Sequence, residues 1–234
     1  LNELTYKDCY PLPRISACLD ALGGCQYFST LDLRSGFWQT GLDPRDADKT
    51  AFITRRGQFR FKVLGFGLAN APSLFQRIMD LVLAGLSWEC CLVYVDDIIV
   101  FGKSFDMHLS RLAQVLQRLR DAGLKLRTDK CRLFQRRVSF LGHVVNQNGI
   151  EPDPKKVAAV VDWPVPTGLA ELRGFCGLCS YYRNFIKDLS IIAAPLFDLV
   201  KKGVAFVWTE RCQSAFETLK ARLPSAPMLA PPVD

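Results

Sequence analysis

The chain has 234 residues, is 49% hydrophobic and 23% charged, and carries a formal net charge of +7. That length allows a sizeable core in one large or two small domains, and that balance excludes a disordered or low-complexity chain. No apolar run reaches membrane-spanning length and no secretory signal opens the sequence, so no membrane partner is expected.

The chain begins at Leu1 without a Met and reads as a fragment of a longer polypeptide. Tyr10-Pro11-Leu12-Pro13 is a rigid extended entry. Arg14 to Leu22 has helical apolar spacing at Ile15, Cys18, Leu19 and Leu22, and Gly23-Gly24 stops it. Phe28 to Leu33 is a strand-like run with Asp32 as its only charge. Asp43 to Lys49 is polar and turn-like. Thr50 to Leu64 carries two short strands around Arg55-Arg56-Gly57.

Gly65 to Pro72 is a loop, and Pro72 suits the first turn of a helix over Ser73 to Ala84. Cys90 to Val93 and Ile98 to Phe101 have the length and β-branched content of buried strands. Asp96-Asp97 between them reads as the tip of a tight hairpin. Phe105 to Ala122 is an amphipathic helix with a stripe of Leu109, Leu112, Leu116 and Leu119, stopped by Gly123. Val138 to Ile150 is a second hairpin that turns at Asn146 to Gly149.

Pro152, Pro154, Pro164 and Pro166 mark a shift in composition, and helical patterns follow at Lys155–Asp162, Leu169–Ile186, Ala194–Lys201 and Glu210–Leu223. A domain boundary is expected near Glu151, and the Pro-rich tail at 224–234 reads as a tether. The first part reads β-α-β-β-α-β, an antiparallel sheet backed by helices in an α+β fold.

Charge and cysteine usage narrow the partners. Lys103 to Arg137 holds ten Lys and Arg against three Asp, an excess equal to that of the whole chain. A polyanionic partner and a plain solvated basic face are about equally good readings of that stretch. Nine cysteines without a disulfide framework point to a reducing, intracellular compartment, which a cytoplasmic particle and the nucleus both satisfy. Cys176 and Cys179 have the spacing of half a zinc site. No second pair exists at metal spacing and both fall in an apolar helical pattern, so core packing is the better reading.

Asp32, Asp96 and Asp97 carry the chemistry. Two acids at a rigid hairpin tip repel each other, and a bound divalent cation would relieve that cost. An acid in an apolar strand is rarely buried without a partner or a metal. If the Asp32 strand lies beside the hairpin, three hard carboxylates converge in the manner that suits Mg²⁺, with Mn²⁺ as its substitute. Two such ions about 3.5–4 Å apart are the usual device for in-line phosphoryl transfer. The bland alternative is that Asp96 and Asp97 merely cap a turn.

Several motifs stand in order along the chain: Tyr10-Pro-Leu-Pro-Arg14, Leu31-Asp-Leu-Arg-Ser-Gly-Phe37, Phe66-Gly-Leu-Ala-Asn-Ala-Pro72 with Phe75-Gln76, Tyr94-Val-Asp-Asp97, Phe140-Leu-Gly-His143, and Leu172 to Phe185. In this order they resemble the reverse transcriptase of gypsy-type LTR retrotransposons, a relative of the retroviral enzymes. The resemblance implies a right-hand polymerase. Residues 1–150 would form the palm with partial fingers at about 40–70, 151–223 a helical thumb, and 224–234 a tether toward a ribonuclease H domain outside this chain.

The resemblance also assigns roles. Asp32, Asp96 and Asp97 would bind the metals, and Lys130 would protonate the leaving pyrophosphate. Phe37 would stand under the sugar and exclude a ribose 2′-hydroxyl, although a plain core Phe fits the same local pattern. Phe66 and Gly67 would line the nascent base pair. Gln76 would be a supporting or template contact, or simply an exposed polar residue. Tyr94, with Leu141, Gly142 and His143 of the primer grip, would meet the primer–template. Arg173 and Arg183, with Tyr181 and Tyr182 between them, would grip a phosphate backbone, although the tyrosines equally suit a core.

The partners so implied are an RNA template, a DNA or tRNA primer, deoxynucleotides and the RNA/DNA hybrid; the oligomeric state stays open. Three rivals stand beside this reading. A catalytically inactive nucleic-acid-binding remnant would be expected to have lost one of the three acids. An RNA-directed RNA polymerase would lack the Phe37 gate. A Mg²⁺-dependent isoprenoid enzyme would carry its acids on helices.

Overall fold

The computed structural model describes residues 1–225 and 227–229, and the chain divides into two units at Leu141/Gly142. That division lies upstream of the boundary expected near Glu151, because the second hairpin belongs with the helices that follow it. The expected tether at 224–234 lies mostly outside the described residues.

The first unit is built on a four-stranded antiparallel sheet. In chain order its elements are α1 (Ile15–Asp20), β1 (Tyr27–Asp32), a 3₁₀ turn at Gly36–Gln39, and α2 (Pro44–Ala47). Then come β2 (Phe52–Thr54), β3 (Gly57–Phe59), α3 (Ala71–Val82), β4 (Cys91–Tyr94), β5 (Asp97–Gly102), α4 (Phe105–Asp121), β6 (Arg132–Gln135) and β7 (Arg137–Phe140). The sheet order is β4-β5-β1-β6. The strand that ends in Asp32 and the strand that opens with Asp97 are therefore neighbours, and both are interior to the sheet.

Apolar residues of β1, β4 and β5 face α3 and α4. Leu31, Val93, Ile98 and Val100 of the sheet pack with Phe75 and Met79 of α3 and with Leu112, Val115 and Leu119 of α4. The buried stripe of α4 is His108, Leu112, Val115 and Leu119 rather than the leucines alone. Leu109 is exposed. His108 replaces it in the stripe because its imidazole finds a buried partner, Ser29 Oγ of β1 at 2.7 Å. Gly102 lets α4 come this close, since a Cβ there would sit 2.9 Å from the His108 Cβ.

Strand β6 lies inside the basic stretch. It pairs with β1 across a register shift between Phe28 and Thr30. Ser29 Oγ accepts the Phe134 N–H there at 3.1 Å, in place of a ladder bond. The β2–β3 ribbon stands apart as a two-stranded sheet, with Phe52, Ile53 and Phe59 exposed.

The second unit opens with the hairpin of β8 (His143–Asn146) and β9 (Gly149–Pro152), in register Asn146↔Gly149. Helices α5 (Pro154–Val161), α6 (Leu169–Tyr181), α7 (Leu189–Ile192), α8 (Ala194–Leu199) and α9 (Glu210–Arg222) follow. Asp153 caps α5 and Thr209 caps α9 through their side chains. An aromatic chain of Trp163, Phe175, Phe216 and Trp208 runs through its core. Cys176 and Cys179 are buried free thiols, pushed by burial up to about 11 and about 12. They pack the core, as their apolar surroundings predict.

Candidate active site

The antiparallel register of β1 and β5 places Asp32 directly opposite Asp97. Tyr94 pairs with Asp97 on the other side, so the turn consists of Val95 and Asp96, and Asp97 already opens β5. The predicted hairpin is present, with its tip one residue earlier than the Asp-Asp pair. The three carboxylates thus come from adjacent strand ends and one two-residue turn.

That turn is strained. Val95 has φ +57°, a left-handed conformation unfavourable for a β-branched residue. Gln76 of α3 holds it. The Gln76 side chain is fully buried; its Oε1 accepts the Val95 N–H at 2.7 Å and its Nε2 donates to the Val93 carbonyl at 3.3 Å. Gln76 is therefore neither an exposed polar residue nor placed to touch a template. It stands behind the carboxylates and fixes the loop that carries them.

The segment after β1 approaches the same turn. Ser35 has φ +52°, and the 3₁₀ turn begins at Gly36. A Cβ on Gly36 would lie 3.2 Å from the Asp96 Cβ and 3.1 Å from the Phe75 ring. Only glycine fits there without displacing Asp96 or Phe75. The turn then presents Phe37, half-buried, with its ring 5.2 Å from Phe66 and 5.5 Å from Phe75. Phe37 thus packs on the core at one edge. Phe66 is 59% exposed, and Trp38 packs against its ring at 5.6 Å. Gly67 has φ +85°, and a Cβ there would meet nothing within 4 Å, so its glycine answers to backbone conformation rather than crowding. Asn2 pins this loop by donating to the Gly67 carbonyl at 2.8 Å and accepting the Ala69 N–H at 2.9 Å.

Lys130 closes the constellation. The Arg127 N–H donates to the Asp32 carbonyl at 2.8 Å, which lays the 127–130 turn against the end of β1. The Lys130 ammonium then lies 3.5 Å from Asp32 Oδ2. Gln39 braces the same segment, bonding the Arg34 and Lys125 carbonyls and the Lys125 N–H. Asp97 has its pKa raised, first by desolvation among the packed strand ends, then by the charges of Asp96 and Asp32, with Lys130 partly offsetting them. The site therefore concentrates negative charge that its own cation does not balance.

Among the described residues no group of three or more His, Cys, Asp or Glu side chains is arranged to hold a metal ion. Asp32, Asp96 and Asp97 are hard oxygen donors at neighbouring strand ends, and carboxylates of this kind bind divalent cations where phosphate oxygens complete the shell.

The remaining predicted residues lie at or beyond the end of the first unit. Leu141, its last residue, has φ +45°. In the second unit Gly142 has φ +66°, and its carbonyl accepts both the Tyr182 hydroxyl at 2.5 Å and the Asp153 N–H at 3.2 Å. His143 is buried among the rings of Tyr181, Tyr182 and Phe185. Tyr182 is fully buried and so is core, whereas Tyr181, Arg173 and Arg183 are exposed.

Sequence reasoning missed Gly36, Gln39 and Asn2. Ser35-Gly36 is a turn signal that could have pointed to a close approach. Gln39 and Asn2 carry no local signal for these roles, since the segments they brace lie 86 and 65 residues away.

Residues 1–145 match the family model described as reverse transcriptase (RNA-dependent DNA polymerase). The chain is 44% identical over 234 residues to the retrovirus-related Pol polyprotein from transposon 297 of Drosophila melanogaster, a match that covers 99% of this chain and 22% of that protein. It is 39% identical to the corresponding polyprotein from transposon gypsy of the same organism, over 96% of this chain and 23% of that protein. The chain thus spans about a fifth of the length of the curated relatives it matches. The foamy viral protease–reverse transcriptase solved with double-stranded DNA superposes with a TM-score of 0.89 at 28% identity, over 98% of this chain and 40% of that one. The same enzyme solved with an RNA/DNA hybrid gives a TM-score of 0.86 at 28% identity, over 98% and 31% of the two chains. Strand register, acid placement and these matches agree: the chain belongs to the reverse transcriptase family and has its α+β polymerase fold, in the branch of gypsy-type retrotransposons.

Proposed function

We propose that this chain is the polymerase core of a retrotransposon Pol polyprotein and extends a primer 3′-hydroxyl with deoxynucleotides on an RNA template. The observation that carries this reading is the register of Asp32 opposite Asp97, with Asp96 in the intervening turn. Those three side chains would hold the divalent cations, of which Mg²⁺ is the natural occupant for carboxylate and phosphate oxygens. When bound, the cations supply polarisation of the attacking oxygen and neutralise charge on the departing pyrophosphate.

The protein's own part is positioning and electrostatics. Gln76 and Gly36 fix the turn on which Asp96 stands. Lys130 places a cation at Asp32, where it is available to the leaving group. Phe37 offers its ring to the sugar of the incoming nucleotide and so selects against a ribose. Phe66, Gly67 and Tyr94 serve the nascent base pair and its template. Leu141, Gly142 and His143, with Arg173 and Arg183, serve the primer strand and its phosphates. A DNA or tRNA primer and the resulting RNA/DNA hybrid are the nucleic-acid partners of this reading. The nine free thiols support a reducing, intracellular setting. Any ribonuclease H activity would belong to other parts of the polyprotein.

Primer extension tests the proposal. An RNA template, an annealed DNA primer, the four deoxynucleotides and Mg²⁺ are expected to give Mg²⁺-dependent extension that ribonucleotides do not support. Binding of the same duplex without any extension would favour the inactive remnant instead.

A further inference from the structure

The N-terminal strap reaches the catalytic turn through an unbroken line of hydrogen bonds. Residues 6 to 10 run along α3. Asn70, at the start of that helix, donates to the Tyr6 carbonyl at 2.8 Å and accepts the Asp8 N–H at 3.0 Å. Further along the helix, Arg77 holds the Asp8 carboxylate at 2.9 and 3.0 Å and lies 5.0 Å over the Tyr10 ring. The Tyr10 hydroxyl then donates to Asp80 Oδ2 at 2.6 Å. The other oxygen, Asp80 Oδ1, accepts from Gln76 Nε2 at 3.0 Å. Gln76 Oε1 accepts the Val95 N–H.

Each link constrains the next. A side-chain amide can present either its oxygen or its nitrogen to a neighbour, and only the oxygen can serve the Val95 N–H. The Val93 carbonyl at 3.3 Å and Asp80 Oδ1 at 3.0 Å both accept from Gln76 Nε2, and Asp80 is the nearer of the two. With the Val93 carbonyl it draws Gln76 Nε2 to its own side and so holds Oε1 toward Val95. Tyr10 in turn occupies the second Asp80 oxygen and fixes the rotamer of the carboxylate. The Tyr10 pKa is raised by this hydrogen bond first, then by desolvation and the Asp80 charge, with Arg77 opposing. We infer that Tyr10 and Asp80 are positioning residues: they latch the Gln76 amide in the one orientation that holds the left-handed Val95 turn, and with it Asp96, in place. The consequence for turnover rests on the polymerase reading; the latch itself does not.

The test reads the turn directly. Hydrogen exchange of the Val95 amide is followed by NMR in the full chain, without nucleic acid or metal. Asp80→Asn removes the charge from the acceptor that faces Gln76 Nε2 and can set a donor there, which weakens the hold on the amide. Tyr10→Phe removes one hydroxyl and leaves the ring on Arg77, so it keeps the test open if the first variant folds poorly. Both are expected to speed Val95 exchange by about tenfold, the scale of one net hydrogen bond, and to leave Ile99 in the interior of the sheet unchanged. Unchanged Val95 exchange, or equal acceleration at Val95 and Ile99, would overturn the inference. In primer extension, kcat is expected to fall with the KM for deoxynucleotide unchanged. Asp80→Asn should add nothing further in a Gln76→Ala background, and additive losses would also overturn it. If Asp96→Asn still extends primers, the polymerase reading fails while the exchange result stands. If Asp96→Asn is inactive and Val95 exchange does not move, the latch alone fails.

Discussion

Asp32 and Asp97 face each other across the β1–β5 pair, two carboxylates at the same level of neighbouring strands. Like charges directly opposed destabilise a sheet. Here the repulsion also has a pH signature. The folded-state pKa of Asp97 is raised above the ordinary 3.8, so between those two values the folded chain binds more protons than the unfolded one. Stability therefore falls as pH rises from about 3.8 through the raised folded value, and the loss is complete above it. Asp97→Asn should remove that dependence, with a higher Tm than the parent at neutral pH and no gain in more acidic solution. Millimolar Mg²⁺ should raise the parent Tm and raise that of Asp97→Asn less. Thermal melts with and without chelator check both.

His108 should give the opposite slope. Its imidazole is buried against Ser29, and burial, with the nearby Arg111 charge, holds its pKa below the usual 6.5. The unfolded chain then binds the extra proton, so this group costs stability as pH falls below about 6.5. Denaturant melts on either side of that value, at about pH 7.5 and about pH 5.5, should show this loss in the parent and a smaller one in His108→Gln. Equal losses would assign the acid sensitivity elsewhere.

Gly36→Ala is predicted to act on both stability and rate. A methyl there meets the Asp96 Cβ at 3.2 Å and the Phe75 ring at 3.1 Å; Phe75 is fully buried in α3 and Asp96 stands in the turn that Gln76 holds. Overpacking of this kind costs about 1–3 kcal/mol. Because one of the two neighbours is Asp96, extension should fall more than the lost folded fraction explains. A denaturant melt beside a rate measurement at a temperature where both forms are folded separates the two effects.

The acids are legible in the sequence because they interrupt β-branched apolar runs, where a charge has few structural excuses. The Asn146–Gly149 turn is legible for a related reason, since Asn and Gly suit tight hairpin turns. Strand β6 is not. Arg132 and Gln135 flank only two apolar residues, and the strand's place beside β1 depends on Ser29, distant in sequence. In α4 the leucine pattern finds the core face at Leu112, Leu116 and Leu119 and misses it at the first position, where Leu109 is exposed and the polar His108 is buried. The resemblance suggests a supporting role for Gln76, but its partner, the Val95 N–H, is a backbone group 19 residues on and leaves no local signal. Periodicity reports which face is apolar; it does not report which buried polar group has found a partner.

Phe37 carries the sugar preference on the polymerase reading. Its ring is held at one edge by Phe66 and Phe75, which keeps it from moving aside for a 2′-hydroxyl. Phe37→Val should raise ribonucleotide incorporation relative to deoxynucleotide by at least about tenfold, since relief of a steric clash restores binding that the clash had excluded. It should also cost about 1–3 kcal/mol of stability from the lost packing. Competitive single-nucleotide incorporation measures the first and a melt the second. A stability loss without any change in sugar preference would reduce Phe37 to a core residue.

What remains is whether Asp96 acts in chemistry or only in turn capping. Asp96→Asn keeps the size, the turn propensity and the backbone hydrogen bonds of the Val95–Asp96 turn, and removes only the charge. Its primer–template affinity and its single-turnover extension rate should be measured side by side with the parent in Mg²⁺. If Asp96 serves the chemical step, the duplex binds within about twofold of the parent while extension slows by at least about a thousandfold, as for loss of a group acting only in the transition state. Extension at a rate near that of the parent, with the duplex equally bound, would contradict a chemical role for Asp96.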